Sequence, residues 1–198
     1  MAFGMAKRIV IIDGHPDPYG RRLCHRLAEA YASGAANSGH EIRRIDIRSL
    51  EYPLLRTREN FDHSTPPKNI AAAQVSIMWA NHIVIIYPLW LGTMPALLKG
   101  LLEQVIRPDF AFERGKPCWS KKLLKGRSAR IVVNMGMPVL VYRWLYLSHS
   151  LRSLERNVLK FAGIGPIHET LFGMTDESGE ATFNRWISQM TALGRADG

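Results

Sequence analysis

Two patterns of apolar and polar residues alternate along the chain, and together they predict strands that alternate with helices. Three short runs, Lys7–Asp13, His82–Tyr87 and Ser128–Asn134, are almost continuously apolar. Such runs are typical of parallel strands that are covered on both faces of a sheet. Glu41–Arg48 alternates apolar with polar residues, which predicts a strand nearer the sheet edge, and Pro166–Phe172 predicts a short fifth strand.

Between these strands, apolar residues recur at helical spacing, as at Leu23, Leu27, Ala30 and Tyr31. The helices predicted in this way cover Arg21–Ala36, Asn69–Ala80, Pro95–Ile106, Leu147–Phe161 and Ala181–Leu193. Leu50–Pro67 contains three prolines and is predicted to be a loop. The alternation predicts a three-layer α/β fold with right-handed crossovers.

The length and composition narrow the class of protein. A chain of 198 residues suits a single domain over residues 1–198. No apolar run reaches the roughly 20 residues that cross a bilayer, and the start of the chain lacks a signal-peptide segment. We therefore expect a cytoplasmic protein without membrane insertion. Neither Cys24 nor Cys118 lies in a metal-binding or CxxC pattern, so a disulfide framework or zinc site is not expected.

The chain is basic, with a net charge of +9, and part of this charge is local. Arg114–Arg130 contains seven Lys or Arg residues and no acid. A segment of this kind suits nucleic-acid binding, attraction of a phosphorylated small molecule, or a solvated surface loop. Apart from Trp119, it lacks the interleaved aromatic residues of single-strand binders. The charge alone leaves these three interpretations open.

Three loops are the candidate functional segments, because ligands of open α/β sheets bind at the carboxyl ends of the strands. The first, "DGHPDPYGRRL", follows a strand and opens a helix, whose N-terminal amides suit a phosphate. His15, Arg21 and Arg22 would add positive charge there. The loop is neither a dinucleotide-binding G-x-G-x-x-G motif nor a Walker A loop. A Gly- and Pro-rich turn without a ligand is the alternative.

The second loop, "PLWLGT", places Trp90 and Leu91 at the end of a buried strand. Exposing two large apolar side chains is costly unless something covers them. A flat aromatic cofactor, a neighbouring loop or a dimer interface would each do so. Gly92 permits close approach of the backbone to a ligand.

The third loop, "NMGMPVLVY", begins with Asn134 and continues into a run of aromatic residues. Gly136 allows backbone amides to approach a ligand. If the segment that follows is helical, Tyr142 and His149 lie on one face. The aromatic residues are equally compatible with a dimer interface.

Taken together, "GHPDPYGRRL", "YPLWLGTMPALLKGLLEQVIRPDFAF" and "NMGMPVLVYRW" resemble the flavodoxin-like NAD(P)H:quinone oxidoreductases, a family that includes DT-diaphorase and small bacterial quinone reductases. The resemblance extends from about Lys7 to Phe172 and is most specific over Tyr87–Phe112. It implies a flavodoxin-like, five-stranded parallel sheet in the order 2-1-3-4-5. It also implies FMN or FAD bound non-covalently, NADPH or NADH as electron donor, and a homodimer.

The resemblance also implies roles for residues in all three loops. The positions that match the family's flavin-binding segments are His15, Gly20, Arg21, Arg22, Leu23, Pro88, Leu89, Trp90, Leu91, Asn134, Met135 and Gly136. Tyr142 matches the family's tyrosine beside the nicotinamide and quinone pocket. The histidine that partners it in the family falls near Ser148 or His149, and the role is carried over to His149. The chain departs from the family in the third loop, which commonly reads Thr-Thr-Gly-Gly and here reads Asn-Met-Gly-Met.

The implied activity is hydride transfer from NAD(P)H to the flavin, followed by two-electron reduction of a quinone or similar acceptor. A second hypothesis keeps the fold and makes the chain a regulatory or ancillary subunit of a partner such as an ion-efflux transporter. A third is a basic nucleic-acid binder without a cofactor. We expect the first, with neither nucleic acid nor membrane as a partner.

Overall fold

The centre of the fold is one sheet of five parallel strands, seen in a computed structural model that describes residues 6–19, 22–115 and 121–197. The strands are β1 (Arg8–Asp13), β2 (Glu41–Asp46), β3 (His82–Pro88), β4 (Ser128–Asn134) and β5 (Ile167–Phe172). They lie in the order β2-β1-β3-β4-β5, and each neighbouring pair is parallel. This confirms the predicted α/β class and strand order.

Eight α-helices occur in the described residues. They are α1 (Leu23–Ala36), α2 (Arg58–His63), α3 (Lys68–Trp79), α4 (Ala96–Val105), α5 (Val139–Trp144), α6 (His149–Ser153), α7 (Lys160–Ala162) and α8 (Glu180–Ala196). A 3₁₀ turn, Ile47–Ser49, follows β2, and a π-helical segment, Leu154–Leu159, joins α6 to α7. Among these described residues, no helix is both long and apolar enough to span a membrane.

The two faces of the sheet are covered by different helices, which explains the continuous apolar runs. On β1, Ile9 and Ile11 join a core cluster with residues of α1 and α8. Val10 and Ile12 join the other cluster, with residues of α3, α4 and α6. Successive side chains of a strand point to opposite faces, so both sets of positions must be apolar.

Helix α2 lies within Leu50–Pro67, where the sequence predicted a loop, so that prediction was wrong in part. Thr57 caps the helix by accepting a hydrogen bond from the Asn60 amide at 3.0 Å. Arg107, which is buried, donates to the carbonyls of Phe61 and Ser64 at 3.2 and 2.7 Å. The helix buries none of its own residues, and it therefore has no apolar periodicity to reveal it.

Helices α1 and α8 approach each other at two glycines. A Cβ atom added at Gly34 would lie 2.1 Å from the carbonyl oxygen of Thr191. One added at Gly194 would lie 2.2 Å from the carbonyl oxygen of Tyr31. Because no Cβ separates them, the two helix backbones are in direct contact.

A polar cluster lies on the side of the sheet opposite the carboxyl ends of the strands. Asp197 receives a two-pronged hydrogen bond from Arg130, whose Nη2 is 2.8 Å from Oδ1 and whose Nε contacts Oδ2. Arg130 also donates to the Thr170 hydroxyl at 2.9 Å, and the Tyr31 hydroxyl donates to Asp197 at 3.0 Å. His82 lies in the same cluster, with Nε2 3.7 Å from Asp197. The cluster ties α1 and the end of α8 to β3, β4 and β5.

His82 should make the free energy of unfolding depend on pH. Burial lowers its pKa to about 4, although Asp197 acts in the opposite direction. Below the ordinary pKa of 6.5, the unfolded chain binds a proton that the folded chain refuses until about pH 4. Stability therefore falls as the pH drops through this window, by about 2 kcal/mol at pH 5 relative to pH 7.5.

Urea unfolding at pH 7.5 and pH 5 checks this contribution. His82→Gln should remove most of this loss on acidification, whereas the same change at the exposed His63 should leave it intact. An unchanged loss in His82→Gln would assign the effect to other groups.

Candidate functional site

The three predicted loops do meet at the carboxyl edge of the sheet, where backbone hydrogen bonds join the strand ends. The Gly14 amide donates to the Ile86 carbonyl at 2.7 Å, and the Leu89 amide donates to the Asn134 carbonyl at 2.8 Å. The Met135 amide donates to the Phe172 carbonyl at 2.8 Å and thereby adds the segment after β5. The sheet therefore holds four loops side by side.

Loop one is residues 14–22, and it starts at a position that only glycine fits. A Cβ on Gly14 would lie 2.9 Å from the Ile86 carbonyl oxygen and 2.7 Å from Leu98. The missing side chain lets loop one leave the sheet against the end of β3. Of the predicted site residues in this loop, Gly20 and Arg21 lie outside the described residues.

Side chains of loop one and of β1 bind several of the loop's own amides. The Asp13 carboxylate accepts from the His15 amide at 3.2 Å, His15 Nδ1 accepts from the Asp17 amide at 3.1 Å, and Asp17 accepts from the Tyr19 amide at 2.8 Å. The sequence does not show these bonds, which fix the loop's shape. Because these loop amides already have acceptors, the donors that remain for an anion are the amides of the following helix.

His15 is a neutral donor rather than the cation expected from the sequence. Burial and then the neighbouring His25 lower its pKa below the ordinary value, so the ring is neutral at neutral pH. Because Nδ1 accepts from Asp17, the proton of the neutral ring is on Nε2. His15 Nε2 is therefore available to donate one hydrogen bond.

The N-terminus of α1 has the features of an anion site. Its N-cap is Arg22, which makes no side-chain capping bond, and the first turn contains no acidic residue. The first amides of a helix lack intrahelical partners and carry a partial positive charge. Arg22 adds a full charge and is held by Asp17, whose Oδ2 is 2.6 Å from Nε. Leu23, half-buried, packs against the core.

Loop two is a tight turn that holds two apolar side chains in an exposed position. The amides and carbonyls of Trp90 and Thr93 are joined at 2.8 and 2.9 Å, and Leu91 and Gly92 between them have φ of 47° and 78°. Positive φ at both central residues is typical of a type I′ turn. Leu91 is fully exposed, and Trp90 is 46% exposed.

Trp90 is covered in part by loop one. Its indole meets the His15 ring edge-on, with ring centroids 5.7 Å apart and planes at 82°. Before the turn, Pro88 is still a strand residue, in register with Asn134, and Leu89 is half-buried. Of the three covers considered from the sequence, a neighbouring loop therefore covers part of Trp90, whereas Leu91 stays in solvent.

Loop three is residues 135–138, and it is held against both α1 and the segment after β5. Asn134, which precedes it, accepts a hydrogen bond from the buried Cys24 thiol at 2.7 Å. Met135 is buried, whereas Gly136 is exposed. A Cβ on Gly136 would lie 2.4 Å from Asp176 Oδ2, so glycine allows this carboxylate to lie against the loop.

Sequence reasoning missed Asp176 and the loop that carries it. The signal was present, because Pro166–Phe172 was predicted to be a parallel strand. The residues that follow such a strand must emerge at the same edge of the sheet as the other loops.

Tyr142 and His149 lie on different helices, so the condition for their sharing one helix face is not met. Helix α5 ends at Trp144, and Leu147 and Ser148 take left-handed backbone angles before α6 begins at His149. Tyr142 is fully buried, and its hydroxyl accepts from the Leu151 amide at 3.1 Å. Burial raises the pKa of this phenol.

His149, in contrast, reaches loop two. It is exposed, and its Nδ1 contacts the Tyr146 carbonyl at 2.9 Å. A Cβ built on Gly92 would be 3.6 Å from His149 Nε2. Loop two also borders a cavity of about 420 Å³ whose lining includes Trp90, Met94, Leu154 and Val158. An imidazole and an apolar cavity therefore flank the same turn.

An apolar surface extends from α5 into the following turn. Its large exposed side chains are Leu140, Val141, Trp144, Leu145, Tyr146 and Leu147. We call this set the α5 surface. Contiguous exposed apolar residues of this kind are typical of interaction sites.

Comparison with known proteins agrees with the fold. The model of the flavodoxin-like fold family matches residues 7–192. The chain is 28% identical over 173 residues to a protein named "Uncharacterized NAD(P)H oxidoreductase" from Haemophilus influenzae, covering 83% of this chain and 82% of that protein.

Two solved structures are similar across nearly the whole chain. One is an NAD(P)H:quinone oxidoreductase from Methanothermobacter marburgensis, with a TM-score of 0.81, 18% identity and 96% of each chain covered. The other is an FMN-dependent NADH-azoreductase from Bacillus anthracis in complex with FMN, with a TM-score of 0.71 and 14% identity, covering 96% of this chain and 98% of that one. At these identities the likeness concerns the fold.

Proposed function

Because the chain belongs to the flavodoxin-like fold family, we propose that it is a flavin-dependent NAD(P)H oxidoreductase that reduces a quinone or a similar two-electron acceptor. The similar Haemophilus protein is named an NAD(P)H oxidoreductase, and the two similar structures are named a quinone oxidoreductase and an FMN-dependent azoreductase. The observation that carries the proposal is the meeting of an uncapped helix N-terminus with an exposed apolar turn at one sheet edge.

The chemistry of the donor set fits a flavin that carries a phosphate. The α1 amides, Arg22 and the Nε2 proton of His15 are donors suited to the phosphate. Pro88, Leu89, Trp90 and Leu91 supply an apolar support suited to the flavin ring. When bound, a flavin accepts hydride from reduced nicotinamide and passes two electrons to an acceptor.

In this proposal, the remaining residues of the site either position the apolar support or contact the electron acceptor. We assign Tyr142 a positioning role, because its buried hydroxyl binds the Leu151 amide. The adjacent Ser150 hydroxyl lies 3.3 Å from the Thr93 hydroxyl of loop two. In this proposal His149, which is exposed beside Gly92, donates a proton or hydrogen bond to the acceptor. Gly136 lets loop three approach the ring closely.

We further propose that a second copy of the chain covers the α5 surface. Trp144 is 79% exposed there, and the neighbouring leucines are more than half exposed. Aromatic and aliphatic side chains of this kind are enriched at the cores of dimer interfaces. A homodimer would also enclose the nearby His149 side of the site.

The visible absorption spectrum of the purified protein tests the proposed function. We expect a yellow protein, or a colourless one that becomes yellow with FMN, and bleaching of that colour by NADPH or NADH without oxygen. Added quinone should restore the colour. A protein that stays colourless with both FMN and FAD would contradict the proposal.

A substitution of Arg22 tests whether the flavin phosphate binds at the N-terminus of α1. Arg22→Gln removes a positive charge and leaves Asp17 unpaired near the α1 N-terminus. It should weaken FMN binding about tenfold and leave the affinity for riboflavin, which lacks the phosphate, unchanged. Equal losses for both ligands would place the phosphate elsewhere.

A further inference from the structure

Three metal-ligating side chains lie together beneath loop one. Asp13 ends β1 and Asp46 ends β2, and the two are in register across neighbouring strands. His25 lies in the first turns of α1. Each of the three offers one ligand atom, and these atoms all lie within 4.8 Å of one another. The proposed function uses none of these side chains.

The contacts of this cluster leave two atoms unsatisfied. His25 Nδ1 is 2.6 Å from Asp13 Oδ2, the other Asp13 oxygen accepts from the His15 amide, and Asp46 Oδ2 accepts from Arg48 at 3.1 Å. His25 Nε2 and Asp46 Oδ1 are buried and have no hydrogen-bond partner. His25 as a whole is only 8% exposed. Buried polar atoms nearly always have partners, so two such atoms in one cluster point to a ligand that the cluster binds.

We propose that this cluster binds one divalent transition-metal cation, with Asp13, Asp46 and His25 each supplying one ligand atom. Imidazole nitrogen with carboxylate oxygen suits Zn²⁺ and Mn²⁺. Water would complete the coordination.

The charges in the cluster favour a cation. Asp13 and Asp46 are both acidic, and Arg48 offsets one of these charges. A bound cation would compensate the negative charge that remains. Rigid elements also hold the ligands, because the two aspartates end paired strands and the histidine lies on a 14-residue helix.

Because of its position, a bound cation would affect loop one of the neighbouring site. Asp13 binds the His15 amide, and the His15 and His25 rings meet edge-on with centroids 5.3 Å apart. A cation would therefore hold loop one and the first turns of α1 together. Binding needs no flavin, so this inference stands or falls independently of the proposed function.

Calorimetric titration of chelator-treated protein with Zn²⁺, repeated with Mn²⁺, tests the proposal. We expect one ion per chain and a higher melting temperature in its presence. Asp46→Asn keeps the size of the side chain and should weaken the affinity at least about tenfold. Glu41→Gln, at the exposed opposite end of β2, should bind like the wild type.

His25→Gln is the second test variant, and it too should lose the site. The proposal is overturned if the wild type binds neither ion. It is also overturned if folded Asp46→Asn, checked by circular dichroism, binds one ion per chain with wild-type affinity, because surface histidines would then account for the binding.

Discussion

Asp197→Asn should lower the free energy of unfolding by about 3 kcal/mol. The substitution removes the carboxylate that faces Arg130, whose side chain is 10% exposed. The guanidinium would remain buried with the Thr170 hydroxyl as a neutral partner, and the Tyr31 hydroxyl would lose its charged acceptor. Removing one member of a buried ion pair is costly because the other charge stays desolvated.

Urea unfolding measures this loss, and two further variants identify its origin. Glu103→Gln breaks the exposed Lys99–Glu103 pair and should cost well under about 1 kcal/mol. Adding Arg130→Met to Asp197→Asn removes the stranded charge and should recover part of the loss. A double variant whose losses simply add would show that the pair is not coupled.

Gly34→Ala should destabilise the protein by about 3 kcal/mol, although alanine is the better helix former. The new Cβ would lie 2.1 Å from the Thr191 carbonyl oxygen, which belongs to the backbone of α8 and cannot rotate away. The two helices must therefore separate, and the core between α1, α8 and the sheet loosens. This loss of stability is opposite in sign to the usual effect of replacing a helical glycine by alanine, which stabilises the helix.

Gly100→Ala is the matched control, because Gly100 also lies inside a helix. Its new Cβ would meet the end of the Leu54 side chain at 2.7 Å, and Leu54 is 60% exposed and free to move. This variant should be neutral or more stable by up to about 1 kcal/mol. Thermal or urea unfolding of the two variants side by side decides the point, and a stabilised Gly34→Ala would refute the close backbone contact.

The sheet was predictable from the sequence because its signal is the burial of whole strands. Ser128–Asn134 was predicted with the bounds that the structure has, and the carboxyl-edge loops followed from the parallel arrangement. Helix α2 was not predictable, since polar bonds from Thr57 and Arg107 hold it and none of its residues is buried.

The chemical details of the site depend on contacts between segments that lie far apart in the sequence. The neutral state of His15 follows from its burial and from the neighbouring His25, and its tautomer follows from the Asp17 amide. None of these contacts can be read from the residue's position in a loop. Tyr142 was assigned to the pocket by resemblance, whereas two left-handed residues after α5 turn the chain before His149. The flavin-binding and catalytic assignments remain predictions for the experiments above.

If the proposed site includes loop two, the exposed Leu91 would affect which small molecules bind there. Its side chain is fully in water, on a backbone with φ of 47° that leucine rarely adopts. Covering a leucine side chain contributes about 2 kcal/mol, which corresponds to roughly a thirtyfold difference in affinity. A ligand with a broad apolar face gains this contribution, and a small polar metabolite does not. At the proposed site, the turn would therefore discriminate among cellular compounds by the area they can cover, before any hydrogen bond distinguishes them.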